Sequence, residues 1–73
     1  MSREELRKLV KRMKLRYGLS YTFWTDRTGI SPTLFSYWLN GERNLNDVSY
    51  SDLEQVGLKV RKALELLENE GLI

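Results

Sequence analysis

Cysteine and histidine are both absent from this 73-residue chain, and proline occurs once. Without cysteine, neither a disulfide nor a thiolate metal site can brace the fold. Without histidine as well, zinc sites and the usual nucleophile–base pairs lose their ordinary residues. Asp26, Asp47 and Asp52 are scattered at capping or surface positions with no base, nucleophile or metal partner, so no enzyme, cofactor or bound metal is expected. Long apolar runs are missing too, which excludes a membrane span. The opening MSREELRKLV carries acidic residues and lacks an apolar segment, so it does not read as a secretion signal. A chain of this length hides only about 60% of the surface its unfolded form exposes. One domain over 1–73 is expected, with a thin core and no cleft for a large ligand. What these absences leave is a soluble intracellular binding module.

The net charge of +2 is unevenly divided. Residues 1–16 hold Arg3, Arg7, Lys8, Lys11, Arg12, Lys14 and Arg16 against only Glu4 and Glu5. Residues 17–43 balance, and residues 44–73 are acidic. A sign asymmetry of this kind marks either a nucleic-acid surface or a solvated basic helix face, and charge alone does not separate the two.

Leu6, Leu9, Val10, Met13 and Tyr17 recur at helical spacing and predict a first helix over 3–16. Ser2 caps it, Glu4 and Glu5 suit its positive end, and Gly18 stops it. Ser20 and Gly29 frame a second helix over 21–28, with Trp24 and Thr28 on one face. Ser31-Pro32 opens a third over 32–40, since proline in the first helical position misses no N–H. Leu34, Phe35, Trp38 and Leu39 give its apolar spacing, and Asn40-Gly41 ends it. Asn44 to Asp47 reads as a polar loop. Ser51-x-x-Glu54 has capping-box spacing, with Ser49 and Asp47 as rival caps, so a C-terminal helical segment is expected over 50–69. Gly57 either splits that segment or bends it. No stretch alternates as a strand would. The expected class is all-α, a compact bundle of four or five short helices.

Two short helices joined by a glycine-containing turn, the second capped by serine, form the helix-turn-helix pattern. In that pattern the first helix braces across phosphates, and the second puts its N-terminal residues against base edges in the major groove. Trp24, Ile30, Phe35 and Trp38 are placed to lock the angle between the two.

Residues 19–43 resemble the core of the phage lambda repressor and Cro-like (XRE-type) helix-turn-helix family. The resemblance rests on Leu19-Ser20, Trp24-Thr25, Gly29-Ile30-Ser31, Phe35-Ser36-Tyr37-Trp38 and Asn40-Gly41-Glu42-Arg43, which follow the family pattern without a gap. Val10, Met13, Lys14 and Gly18 extend it into the first helix. The resemblance implies a small transcription regulator on double-stranded DNA in a bacterial or phage-infected cytoplasm, associated with the nucleoid. It makes Pro32, Thr33, Ser36 and Tyr37 base-reading candidates. It makes Ser20, Tyr21 and Thr22 phosphate-contact candidates, together with Asn40, Arg43 and Asn44.

This chain also departs from the pattern. Lys14 and Leu39 stand where the family often pairs Arg with Glu, so that ion pair is absent and Leu39 is expected to pack. Glu42 stands where a cation is usual. The reading helix carries no Arg, Lys, Gln or Asn before Asn40, and bidentate contacts to guanine or adenine need those residues. Base reading therefore falls to single hydrogen bonds from Thr33, Ser36 and Tyr37, with help from DNA shape.

A rival reading takes the same scaffold as a protein-interaction module, an antirepressor or regulator-binding protein. It rests on Glu42 and on an apolar patch that Leu34, if exposed, would form with Tyr21 and Tyr37. Leu64, Leu67, Leu72 and Ile73 exceed what a three-helix core needs. They either pack within the chain or form a homodimer seam that sets two reading helices one DNA turn apart.

Overall fold

A computed structural model describes all residues, 1–73. It has four helices and no strand: α1 (Arg3–Tyr17), α2 (Tyr21–Thr28), α3 (Pro32–Leu39) and α4 (Asp47–Asn69). The protein is an all-α bundle of four helices rather than five.

Local chemistry sets the first three helices. Ser2 Oγ accepts from the Glu5 N–H at 3.1 Å, Ser20 Oγ from Phe23 at 3.4 Å and Ser31 Oγ from Leu34 at 3.2 Å. Each hydroxyl thereby satisfies one of the donors that a helix start leaves unpaired. Gly18 and Gly29 close α1 and α2 in the left-handed conformation that glycine adopts without a Cβ penalty. α1 runs one residue beyond the predicted end, and α3 stops one earlier, with Asn40 as its C-cap.

The start of α4 differs more. Asn46 is the cap, its Oδ1 accepting from the Ser49 N–H at 2.8 Å, so the helix begins at Asp47 rather than 50. Two tertiary contacts favour the extra turn. Asp47 Oδ1 pairs with Arg3 Nη2 at 2.6 Å, and the Tyr50 hydroxyl accepts from Trp38 Nε1 at 2.8 Å. The preceding segment is not wholly polar in role either, because Leu45 is buried and pins the loop to the core.

Gly57 neither splits nor ends α4. It lies where α4 crosses α1, facing Leu6 and Leu9. A Cβ there would stand 3.5 Å from Leu6 Cδ1 and 3.7 Å from Leu9 Cδ2, ordinary contact distances. Glycine inside a helix costs stability relative to alanine. Gly57→Ala is therefore expected to raise stability by about 0.5–1 kcal/mol, read as a higher urea midpoint at an unchanged slope. A lower midpoint would show that the crossing needs a bare backbone.

The core joins all four helices: Leu6, Leu9, Val10 and Met13 from α1, Trp24 from α2, Phe35, Trp38 and Leu39 from α3, and Tyr50 and Leu53 from α4, with Ile30 and Leu45 from the turns. Trp24, Ile30, Phe35 and Trp38 are all buried, so the lock between α2 and α3 is present. Trp24 Nε1 is the one buried polar side-chain atom without a hydrogen-bond partner. The last turns of α4 leave the core: past Leu64 only Glu68 is partly covered. That carboxylate accepts from the Tyr17 hydroxyl and pairs with Arg16 at 3.3 Å. The Tyr17–Glu68 hydrogen bond holds the phenol proton and raises Tyr17 above its ordinary value, with burial adding in the same direction.

Candidate nucleic-acid interface

The seven cations of α1 divide into two groups. Arg3 pairs with Asp47 and stacks 4.1 Å from the Tyr50 ring centroid. Arg7 is largely buried. Its Nε donates to the Trp38 carbonyl at 2.8 Å, satisfying an acceptor at the end of α3, while Nη1 holds Glu4 at 2.6 Å. Arg16 is tied to Glu68. Those three are engaged within the bundle. Lys8, Lys11, Arg12 and Lys14 have no ion-pair partner. Lys14 stands apart from the rest because helix packing brings it to the start of α2.

That start is a shallow, open concavity of about 510 Å³ lined by Lys14, Gly18, Ser20, Tyr21 and Thr22. The Lys14 ammonium lies 5.0 Å from the Tyr21 ring centroid. Ser20 takes the N–H of Phe23, and the N–H groups of Tyr21 and Thr22 have no acceptor. Residues carrying two free backbone donors, the positive end of a helix dipole and an ammonium therefore line one concavity. Such a cluster favours an anionic oxygen.

The Tyr21 ring is half-buried, packed edge-on against Phe35 at 5.5 Å. It serves as a wall of this concavity rather than as a free reading group. Leu34 is also half-buried and packs on the core, so the apolar patch expected of Tyr21, Leu34 and Tyr37 is reduced to Tyr37, which is 41% exposed. Leu39 packs fully in the core.

On α3, Pro32, Thr33 and Tyr37 are exposed and Ser36 is half-buried. Thr33 and Tyr37 lie four residues apart, on neighbouring turns of one helix face. The turn after α3 reverses at Gly41, where φ is +81°, and the N–H groups of Glu42 and Arg43 both point to the Tyr37 carbonyl, at 2.8 and 3.4 Å. This brings the Arg43 guanidinium 5.3 Å from the Tyr37 ring centroid. Arg43 has no acidic partner, although Glu42 is its neighbour in sequence. Stacking on the ring reduces the freedom that the long side chain would lose on meeting an anion. Asn40 and Asn44 are exposed on either side of the same turn.

Two groups of expected site residues are thus brought together, Ser20–Tyr21–Thr22 at the start of α2 and Tyr37–Arg43 at the end of α3. Lys14 is added to the first group. No spacing within α1 points to it, because packing between helices is what puts it there.

Of the residues expected at a dimer seam, Leu64 is half-buried against the core, while Leu67, Leu72 and Ile73 are exposed. Leu66 is exposed with them. No group of three acidic side chains is placed to hold a metal ion, and no helix is long and apolar enough to cross a membrane. No family model, curated protein or solved structure matches the chain.

Proposed function

We propose that this protein is a sequence-selective binder of double-stranded DNA, a small repressor- or Cro-like transcription regulator of the phage or mobile-element type. It acts as a binder and not as a catalyst, in the cytoplasm and on the nucleoid. The observation that carries this reading is the free start of α2, where Lys14 and two unsatisfied N–H groups face one open concavity. Phosphate held there would fix the register of the chain on the duplex. Arg43, stacked on Tyr37, supplies a second phosphate contact at the other end of the pair of helices. Between the two, Thr33, Ser36 and Tyr37 test base edges with hydroxyl groups, and Pro32 opens the reading helix. With no bidentate reader, most of the affinity comes from phosphate contacts and part of the selectivity from DNA shape.

The rival reading, a protein-interaction module, loses support where Tyr21 and Leu34 turn into the bundle. Glu42 and the exposed Tyr37 are what remain in its favour.

The test is fluorescence anisotropy with labelled duplexes enriched from a random pool. Affinity is expected to fall at least about tenfold between roughly 50 and 200 mM salt, through release of condensed counterions. Folded protein that binds no duplex at either salt concentration would overturn the proposal. A stoichiometric protein partner whose binding disappears in Tyr37→Ala would then support the rival.

A further inference from the structure

α1 and α4 run side by side in the same direction, joined by Arg3–Asp47 at their starts and by Tyr17–Glu68 at their ends. Beyond the close crossing at Gly57, two hollows adjoin along the seam between them. The first, of about 150 Å³, has Leu9, Met13 and Leu64 as its apolar lining. Tyr17 and the Arg16–Glu68 pair bound it toward the helix ends. The second, of about 190 Å³, adds Lys8 and Glu5. Leu9, Arg12 and Arg61 belong to both, so the two arginines, one from each helix, mark the place where the hollows meet.

Lys8, Arg12 and Arg61 are exposed and have no ion-pair partner, although Glu65 follows Arg61 at a four-residue spacing that permits one. Among the side chains of the second hollow, these three cations face Glu5 alone, an excess of two positive charges. A phosphate monoester carries about −1.5 to −2 at neutral pH, and the guanidinium fork matches its oxygens. The first hollow has the volume of an apolar cavity that takes one benzene ring, about 150 Å³. Of its two acids, Glu68 is held by Tyr17 and Arg16, and Glu65 lies one turn beyond Arg61 toward the same end. A ligand lying the other way round would bring its phosphate against those carboxylates. Charge therefore sets both the class of ligand and its direction.

We propose that the seam between α1 and α4 is a binding site for a small aromatic phosphate monoester. The ring lies over Met13 and Leu64, and the phosphate lies between Arg12 and Arg61 with Lys8 beside them. The site shares no residue with the concavity at the start of α2, which lacks such an apolar lining. Both hollows are open to solvent and small, so affinity is modest. The inference stands whether or not the protein binds DNA.

Amide chemical shifts of the full chain, followed by NMR at constant ionic strength while phenyl phosphate is added to roughly 10 mM, test it. Saturable shifts are expected around Leu9–Tyr17 and Arg61–Glu68, with a Kd of about 0.1–1 mM. Inorganic phosphate should bind at least about tenfold more weakly, since it leaves the ring's place empty, and benzyl alcohol should not saturate. Arg12→Gln and Arg61→Gln are each expected to weaken phenyl phosphate about tenfold. Leu64→Ala should weaken it several-fold without changing the affinity for inorganic phosphate, and Lys14→Gln should leave it as in the wild type. Arg12 and Arg61 are exposed and unpaired, so these variants keep the fold, and a dispersed amide spectrum verifies it for each variant. The absence of a saturable shift by roughly 10 mM would overturn the proposal. So would equal affinity for inorganic phosphate, indifference to both arginine changes, or shifts centred on the start of α2 that vanish in Lys14→Gln.

Discussion

Trp38→Ala is expected to cost a large share of the protein's stability. The indole is fully buried at the junction of three helices, tilted against Phe35 at 5.8 Å and edge-on to Tyr50 at 6.0 Å. Its Nε1 donates to the Tyr50 hydroxyl at 2.8 Å, and its own carbonyl takes the Arg7 Nε. Removing the ring opens a cavity that costs about 3–5 kcal/mol and strips the Tyr50 hydroxyl of its donor. A domain of this size holds only about 4–11 kcal/mol in total, so the loss is a large share of it. Trp38→Phe keeps the aromatic contact with Phe35 and gives up only the hydrogen bond and part of the volume. It is expected to cost about 1–2 kcal/mol. Urea titration followed by circular dichroism measures both. A Trp38→Ala protein with a wild-type midpoint would mean that the core is not centred on this residue.

Much of the bundle is legible in the sequence because its helix starts are written in adjacent residues. Ser2, Ser20 and Ser31 each cap the helix they precede, and Gly18 and Gly29 each stop one. These are short-range signals that need no partner from elsewhere in the chain. The start of α4 is illegible for the opposite reason. Asp47, Ser49 and the Ser51–Glu54 spacing are competing local signals, and the cap the chain uses, Asn46, is none of them. The added turn lets Asp47 reach Arg3 and Tyr50 reach Trp38. Gly57 reads as an interruption because propensity alone disfavours it, whereas its place against Leu6 and Leu9 depends on how α1 crosses α4.

The candidate site divides along the same line. The exposure of Thr33 and Tyr37 follows from helical spacing within α3. The pairing of Arg43 with Tyr37 depends on the reversal at Gly41, which the Asn40-Gly41 pair announces. The inward turn of Tyr21 onto Phe35 and the delivery of Lys14 to the start of α2 result from packing between helices, and no spacing within one helix reveals them. The basic charge of α1 is the feature most open to misreading. Arg3, Arg7 and Arg16 are engaged within the bundle, and among the remaining cations Lys14 is the one that lines the concavity at α2.

The most direct test of the account asks whether DNA affinity depends on where a cation sits or only on how many there are. Lys14→Ala/Arg43→Ala removes one cation at each end of the α2–α3 pair. Lys8→Ala/Arg12→Ala removes the same charge from the outer face and the α4 side of α1. The first variant is expected to bind duplex DNA about 30-fold more weakly at low salt. The slope of log affinity against log salt should also flatten by about 2, one unit for each phosphate no longer neutralised. The second is expected to change affinity by less than about threefold, the share left to long-range attraction. Equal losses in the two variants, or a larger loss in the second, would contradict the account and move the DNA surface to the outer face of α1.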